Sequence, residues 1–157
     1  MGHELTSAGL RADRRKMEAI LNMPAPSDKP GVLRLLGMTG FLARFCPNYS
    51  ETTAPLRELL QRDVEFKWLD DIHGTAFNKL ESMLTSGTVL PFFDVTKPVV
   101  IQCDASQAGL GAAIIQNGRP LEYASRALIP VERDAYAQIE KELLAIVFAM
   151  ERFQTYV

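Results

Sequence analysis

Asn117-Gly118 is the feature that most restricts what this chain can fold into. The pair lies between two apolar runs, Gly109 to Gln116 and Arg119 to Ser125. A two-residue connection between antiparallel strands needs positive φ at both positions, and Asn-Gly is the pair that tolerates it best. These runs therefore predict a β-hairpin. Val99 to Cys103, entered through Lys97-Pro98, is short and β-rich and supplies a third strand. After the hairpin, Tyr136, Ile139, Leu143, Ile146, Met150 and Phe153 recur at steps of three and four. That spacing predicts one long helix from about Val131, with the stripe buried against the sheet.

The first third of the chain reads as helices separated by proline. Asp13 caps a short helix to about Asn22, which Met23-Pro24-Ala25-Pro26 ends. Ser27 caps a longer one, with Pro30 tolerated in its first turn, running to about Cys46 before Pro47. A third helix follows Ser50 and carries Leu56, Leu59 and Leu60 on one face. Phe66 and Trp68 alternate with charge, which suggests a short strand. Asp70 or Asp71 then caps a helix bearing Ile72, Ala76, Leu80 and Leu84, ended by Gly87. Helices followed by strands and one more helix predict an α+β fold in two small units.

Bulk properties exclude several classes. A chain of 157 residues holds one ordinary domain or two small ones. A net charge of -2 argues against a basic coat. Residues 1–50 carry seven Lys/Arg against four Asp/Glu, and the rest carry ten against fifteen. A mildly basic front and an acidic back suit phosphate contact followed by metal chelation, and solvated faces explain the split equally well. Cys46 and Cys103 lie far apart, which predicts free thiols in a reduced compartment. His3 and His73 have no partner at ligand spacing, which argues against zinc. No stretch reaches the roughly 18 apolar residues of a membrane span, and the first thirty residues lack a signal-peptide core. The expectation is an intracellular protein with no membrane segment.

Two carboxylates and one helix face carry the candidate chemistry. Asp104 ends an apolar strand on the same side as Gln102, and Glu142 sits on the long helix beside its apolar stripe. Ala145 and Ala149 continue the Glu142 row and would let the helix lie close on the sheet. Converging acids of this kind hold Mg²⁺ (or Mn²⁺) in phosphodiester chemistry. A turn aspartate and a border glutamate give the same pattern without metal. On the longer N-terminal helix, Gly37 and Gly40 interrupt a helical pattern at a cost of about 1 kcal/mol each relative to Ala. Phe41 shares the face of Gly37, with Arg34 and Arg44 nearby, so the face could track a nucleic-acid groove or pack on another helix.

At these residues the chain resembles the Pol polyprotein of Gypsy-type long-terminal-repeat retrotransposons, over essentially its whole length. Met1-Gly2-His3 resembles the tail of the primer-grip motif. Leu33-Arg34-Leu35-Leu36-Gly37 and Phe41-Leu42-Ala43-Arg44-Phe45 resemble the thumb helix, and Thr53-Ala54-Pro55-Leu56 with Phe66-Lys67-Trp68 the connection. Asp104-Ala105-Ser106, Tyr123-Ala124-Ser125-Arg126 and Tyr136 through Ala145 resemble the opening of the ribonuclease H domain. The resemblance implies a thumb over residues 1–63, a connection over 64–95 and the first part of a ribonuclease H-like fold over 96–157. It implies that Asp104 and Glu142 are metal ligands and that Gln138 contacts the RNA strand. Arg34, Gly37, Phe41 and Arg44 would then face the primer–template or RNA–DNA hybrid. Leu33 is apolar where related enzymes can carry a polar groove contact. The polymerase aspartates and a third nuclease acid have no counterpart in the sequence, so the expected form is a truncated nuclease fold beside a small helical thumb. Its sheet would have an open edge inviting pairing with another chain, and the rest of a Pol polyprotein would be its natural partner.

Overall fold

The computed structural model describes residues 3–157, so Met1-Gly2 of the primer-grip resemblance lie outside it. The chain opens with a hairpin that the sequence reading did not anticipate, β1 (His3–Thr6) and β2 (Gly9–Ala12). Thr6 Oγ1 donates to the Gly9 carbonyl at 2.8 Å and closes the turn. Gly9 has φ +138, and a Cβ there would lie 2.1 Å from the Leu90 carbonyl oxygen. Only glycine fits that approach, which lets Leu10 and Leu90 exchange two backbone hydrogen bonds of 2.8 Å.

Asp13 caps α1 (Arg14–Leu21) by accepting from the Arg15 amide at 2.9 Å. The next cap is Asp28 rather than Ser27. Its carboxylate accepts from the Gly31 amide at 2.7 Å, with Pro30 in the first turn of α2 (Lys29–Gly40). This helix stops at Gly40, short of Cys46. Leu42 bonds back to the Thr39 carbonyl and Phe45 to the Leu42 carbonyl, so the chain tightens into a 3₁₀ turn over Ala43–Phe45. Two short helices follow, α3 (Tyr49–Thr52), which contains Ser50, and α4 (Ala54–Glu58). Phe66 and Trp68 form no strand; both pack against the helical core from an extended segment. The Leu69 carbonyl accepts from Ile72, His73 and Gly74, a widened turn that leads into α5 (Thr75–Thr85).

The predicted sheet is present with the order β3-β4-β5, all antiparallel: β3 (Val100–Ala105), β4 (Gly109–Gln116) and β5 (Arg119–Ala127). Asn117 and Gly118 form its turn with φ +52 and +71. An irregularity at Ile114/Ile115 shifts the β4–β5 register, so Leu121 and Glu122 are both buried although they are consecutive.

The last predicted helix is two. α6 (Pro130–Ala135) ends at the extended Tyr136, and α7 (Gln138–Arg152) restarts where Glu140 accepts from the Ala137 amide at 2.7 Å. The predicted buried stripe is corrected in the same region. Ile139, Leu143, Ile146 and Met150 are exposed, and α7 instead buries Lys141, Ala145 and Ala149, with Phe153 just beyond its end. Small side chains decide this, because Ala145 and Ala149 allow the backbone to settle on Ala112, Leu110 and Ala105.

Buried side chains form one large cluster within residues 12–90 and smaller ones under α7. Residues 43–52 cover the other face of the sheet. The Ser50 amide donates to Ser125 Oγ at 2.9 Å, and Cβ atoms added at Gly109 and Gly111 would meet Ser50 Oγ at 3.3 Å and Asn48 Oδ1 at 2.8 Å.

Candidate functional site

Asp104 lies next to the end of β3, opposite Gly111. Its neighbours Cys103 and Ala105 pack beneath α7, so strand alternation sends Asp104 to the other face. There it is exposed and lines a small recess with Asn48, Glu51, Ser106 and Gly111. Glu142 is also exposed, so it bears no burial cost. It follows the buried Lys141 by one position. Phe148 and Arg152, on the opposite flank of α7, lean towards Arg126 and Glu122 of β5. Helical spacing therefore puts Glu142 on the flank nearer β3.

Strand alternation thus places Asp104 on the sheet face away from α7, and helical spacing places Glu142 on the flank of α7 nearer the β3 edge. What links them is the first turn of α7. Gln138 Nε2 donates to the Ala105 carbonyl at 2.9 Å and pins that turn beside the strand end that bears Asp104. Lys141 Nζ, almost fully buried, donates to Gln107 Oε1 at 3.1 Å and to the Arg133 carbonyl at 2.8 Å. It ties the 106–108 turn, α6 and α7 together with no carboxylate among the described residues within ion-pair distance.

Asp104 and Glu142 are hard oxygen donors, and two carboxylates with retained water suit one Mg²⁺. They are too few for a pair of metals. Among the described residues no group of three His, Cys, Asp or Glu side chains gathers closely enough to hold a metal ion.

On α2, Leu33, Arg34, Gly37 and Gly40 form an exposed face. A Cβ at Gly37 would meet nothing within 4 Å, so no helix among the described residues packs on it. Phe41 is half-buried with Lys16 Nζ 4.5 Å from its ring centroid. Arg44 is turned inward: its Nη2 donates to Glu122 Oε2 at 3.1 Å. Glu122 also accepts from Arg152 Nη2 at 2.8 Å and from the Tyr156 hydroxyl at 3.1 Å. Sequence reasoning missed this node, because strict alternation from Leu121 would have sent Glu122 outward. A lone acid between apolar residues of a strand was the available signal.

The comparisons with known proteins agree with this architecture. Residues 69–157 match the model for the RNase H-like domain found in reverse transcriptase. The chain belongs to that reverse-transcriptase family. The Pol polyprotein of transposon 297 from Drosophila melanogaster is 35% identical over 156 residues, and that of transposon opus from the same organism is 34% identical over 170. Each alignment takes in 99% of this chain but only 15% and 17% of the respective polyprotein, so the chain spans about a sixth of these relatives. The foamy viral protease–reverse transcriptase in complex with an RNA/DNA hybrid superposes with a TM-score of 0.82 at 24% identity, over 99% of this chain and 22% of that one. A foamy viral structure with double-stranded DNA gives a TM-score of 0.80. No helix among the described residues of this reverse-transcriptase relative is long and apolar enough to cross a membrane.

Proposed function

We propose that this chain is the thumb, connection and leading nuclease portion of a retrotransposon reverse transcriptase, with boundaries near residues 63 and 95. In this reading it binds the RNA–DNA hybrid or primer–template along Arg34, Gly37 and Phe41. Arg44 lies at the end of that path and Gln138 beside the nuclease edge. The observation that carries the reading is the exposed face of α2 at Gly37, where a Cβ would meet none of the described residues. Fold neighbours that hold an RNA/DNA hybrid and double-stranded DNA support it.

Asp104 and Glu142 are the proposed ligands of Mg²⁺ or Mn²⁺, which when bound supplies the Lewis acidity for cutting RNA in hybrids. The chain's own part is to hold these donors beside the free edge of β3, through Gln138 and Lys141. Further donors would come from the rest of a Pol polyprotein. Cleavage of a labelled hybrid with Mg²⁺ or Mn²⁺, beside an Asp104→Asn control, tests the assignment. Tight, salt-sensitive hybrid binding without cleavage is the expected result. Cleavage lost in the control would show that the 157 residues complete a site by themselves or as paired copies.

The exposed stripe of α7 favours a second reading, a non-catalytic module that binds protein. In that case the free edge of β3 and the stripe beside it are the contact surface, for another part of a polyprotein or for a second copy. Hybrid affinity that barely changes with salt would favour this alternative.

A further inference from the structure

A cleft of about 420 Å³ opens where the end of α2 meets the nuclease sheet. Gly40, Phe41 and Arg44 line one side, and Tyr123, Ser125 and Arg152 the other. Among the described residues two guanidiniums border it and no carboxylate does. The nearest acid, Glu122, is buried beneath and accepts from both arginines, so one negative charge answers two positive ones. Arg44 Nε is buried with no acceptor among the described residues. Arg152 keeps about half of its side chain exposed, at 54%. Gly40 belongs to both the cleft and the open face of α2, so the two surfaces are continuous.

We infer that this cleft is a second nucleic-acid contact, a seat for the sugar–phosphate backbone leaving α2 for the nuclease, with Arg152 as its phosphate-binding side chain. The inference rests on the groove reading of α2 and adds a residue which that reading does not use. Net positive charge selects a polyanion. The flanking rings of Phe41 and Tyr123 suit sugar edges, and the buried carboxylate anchors one Nη2 of each guanidinium at the cleft wall. Glu122 is thus a positioning residue that lowers the charge of the seat while fixing its geometry.

The test is the salt dependence of binding to a fluorescein-labelled RNA–DNA hybrid by the whole chain, with thermal unfolding to confirm that each variant is folded. Arg152→Ala should lower the slope of log K against log salt by about 0.9, the loss of one phosphate contact on a duplex. Arg152→Lys should restore most of it. Glu122→Gln, which leaves both guanidiniums uncompensated, should make the slope steeper; a purely structural role for Glu122 gives no such increase. An unchanged slope in Arg152→Ala, with binding still weakened by Gly37→Glu on α2, overturns the cleft and leaves the α2 reading intact. Failure of the unmodified chain to bind any hybrid overturns both.

Discussion

The helical cluster and the sheet unit are built from the same kinds of residue but close differently. Within residues 12–90, large aliphatic side chains such as Val32, Leu35, Leu42, Leu56 and Leu80 are sealed from every side. The sheet unit relies on Ala112, Ala124, Ala145 and Ala149 with a few large partners, and α7 turns its larger side chains outward. A helix that packs through alanines gains closeness to the sheet and little apolar area. The lesson is that the sheet unit supplements a smaller apolar volume with polar ties, Lys141 to Gln107, Arg126 to Glu132 and Glu122 to two arginines.

Substitutions should expose that contrast. Leu35→Ala removes a sealed side chain and should cost about 2–5 kcal/mol in urea unfolding. A loss below 1 kcal/mol would mean that the helical cluster is loosely packed after all. Gly109→Ala sets a Cβ 2.7 Å from the Arg126 carbonyl oxygen and against Ser50, where backbone must move. About 1–3 kcal/mol should be lost there, together with protection of the β4 and β5 amides from hydrogen exchange.

Acid should separate the two regions without mutation. Hydrogen bonds from the Arg126 guanidinium, with help from the Ile129 amide, hold Glu132 below the usual carboxylate range. The Thr96 hydroxyl and amide, with Lys97, bring Asp94 down to about 2. A carboxyl whose folded pKa is depressed contributes above its unfolded value and loses that contribution as pH falls through the folded one. Between about pH 4.5 and 2 the segment 94–134 should therefore loosen first. Residue-resolved exchange showing α2 and α5 opening earlier would reverse the comparison. The smallest effect belongs to Leu143→Ser on the outer face of α7. It should change stability by no more than about 0.5 kcal/mol; the protein-binding reading adds that it weakens association between copies in sedimentation.

Sequence made part of this legible, for identifiable reasons. Asn117-Gly118 and the alternation around it located the hairpin because the turn chemistry admits few alternatives. Asp13 declared its helix by capping it. The β1–β2 hairpin was hidden because its four-residue strands are too short to show a period and its key residue, Gly9, answers to Leu90, some eighty positions away. The stripe on α7 was read correctly as a stripe and assigned to the wrong side, since periodicity finds an apolar face but not what covers it. For the site, spacing singled out Asp104 and Glu142 as candidates, whereas the face each one occupies depends on how α7 sits on the sheet. Glu122 needed the irregularity that leaves Leu121 of β5 unpaired against β4, which no local pattern announces.

The placement of the two thiols also bears on kinetics. Cys46 is sealed in the helical cluster, and burial pushes its thiol up to about 11. Cys103 is only half-buried, on the strand face that α7 covers, with burial and the neighbouring Asp104 raising its thiol as well. Cys103 should therefore be alkylated in the folded protein at a rate slowed by its raised thiol, while Cys46 stays silent until the helical cluster itself unfolds.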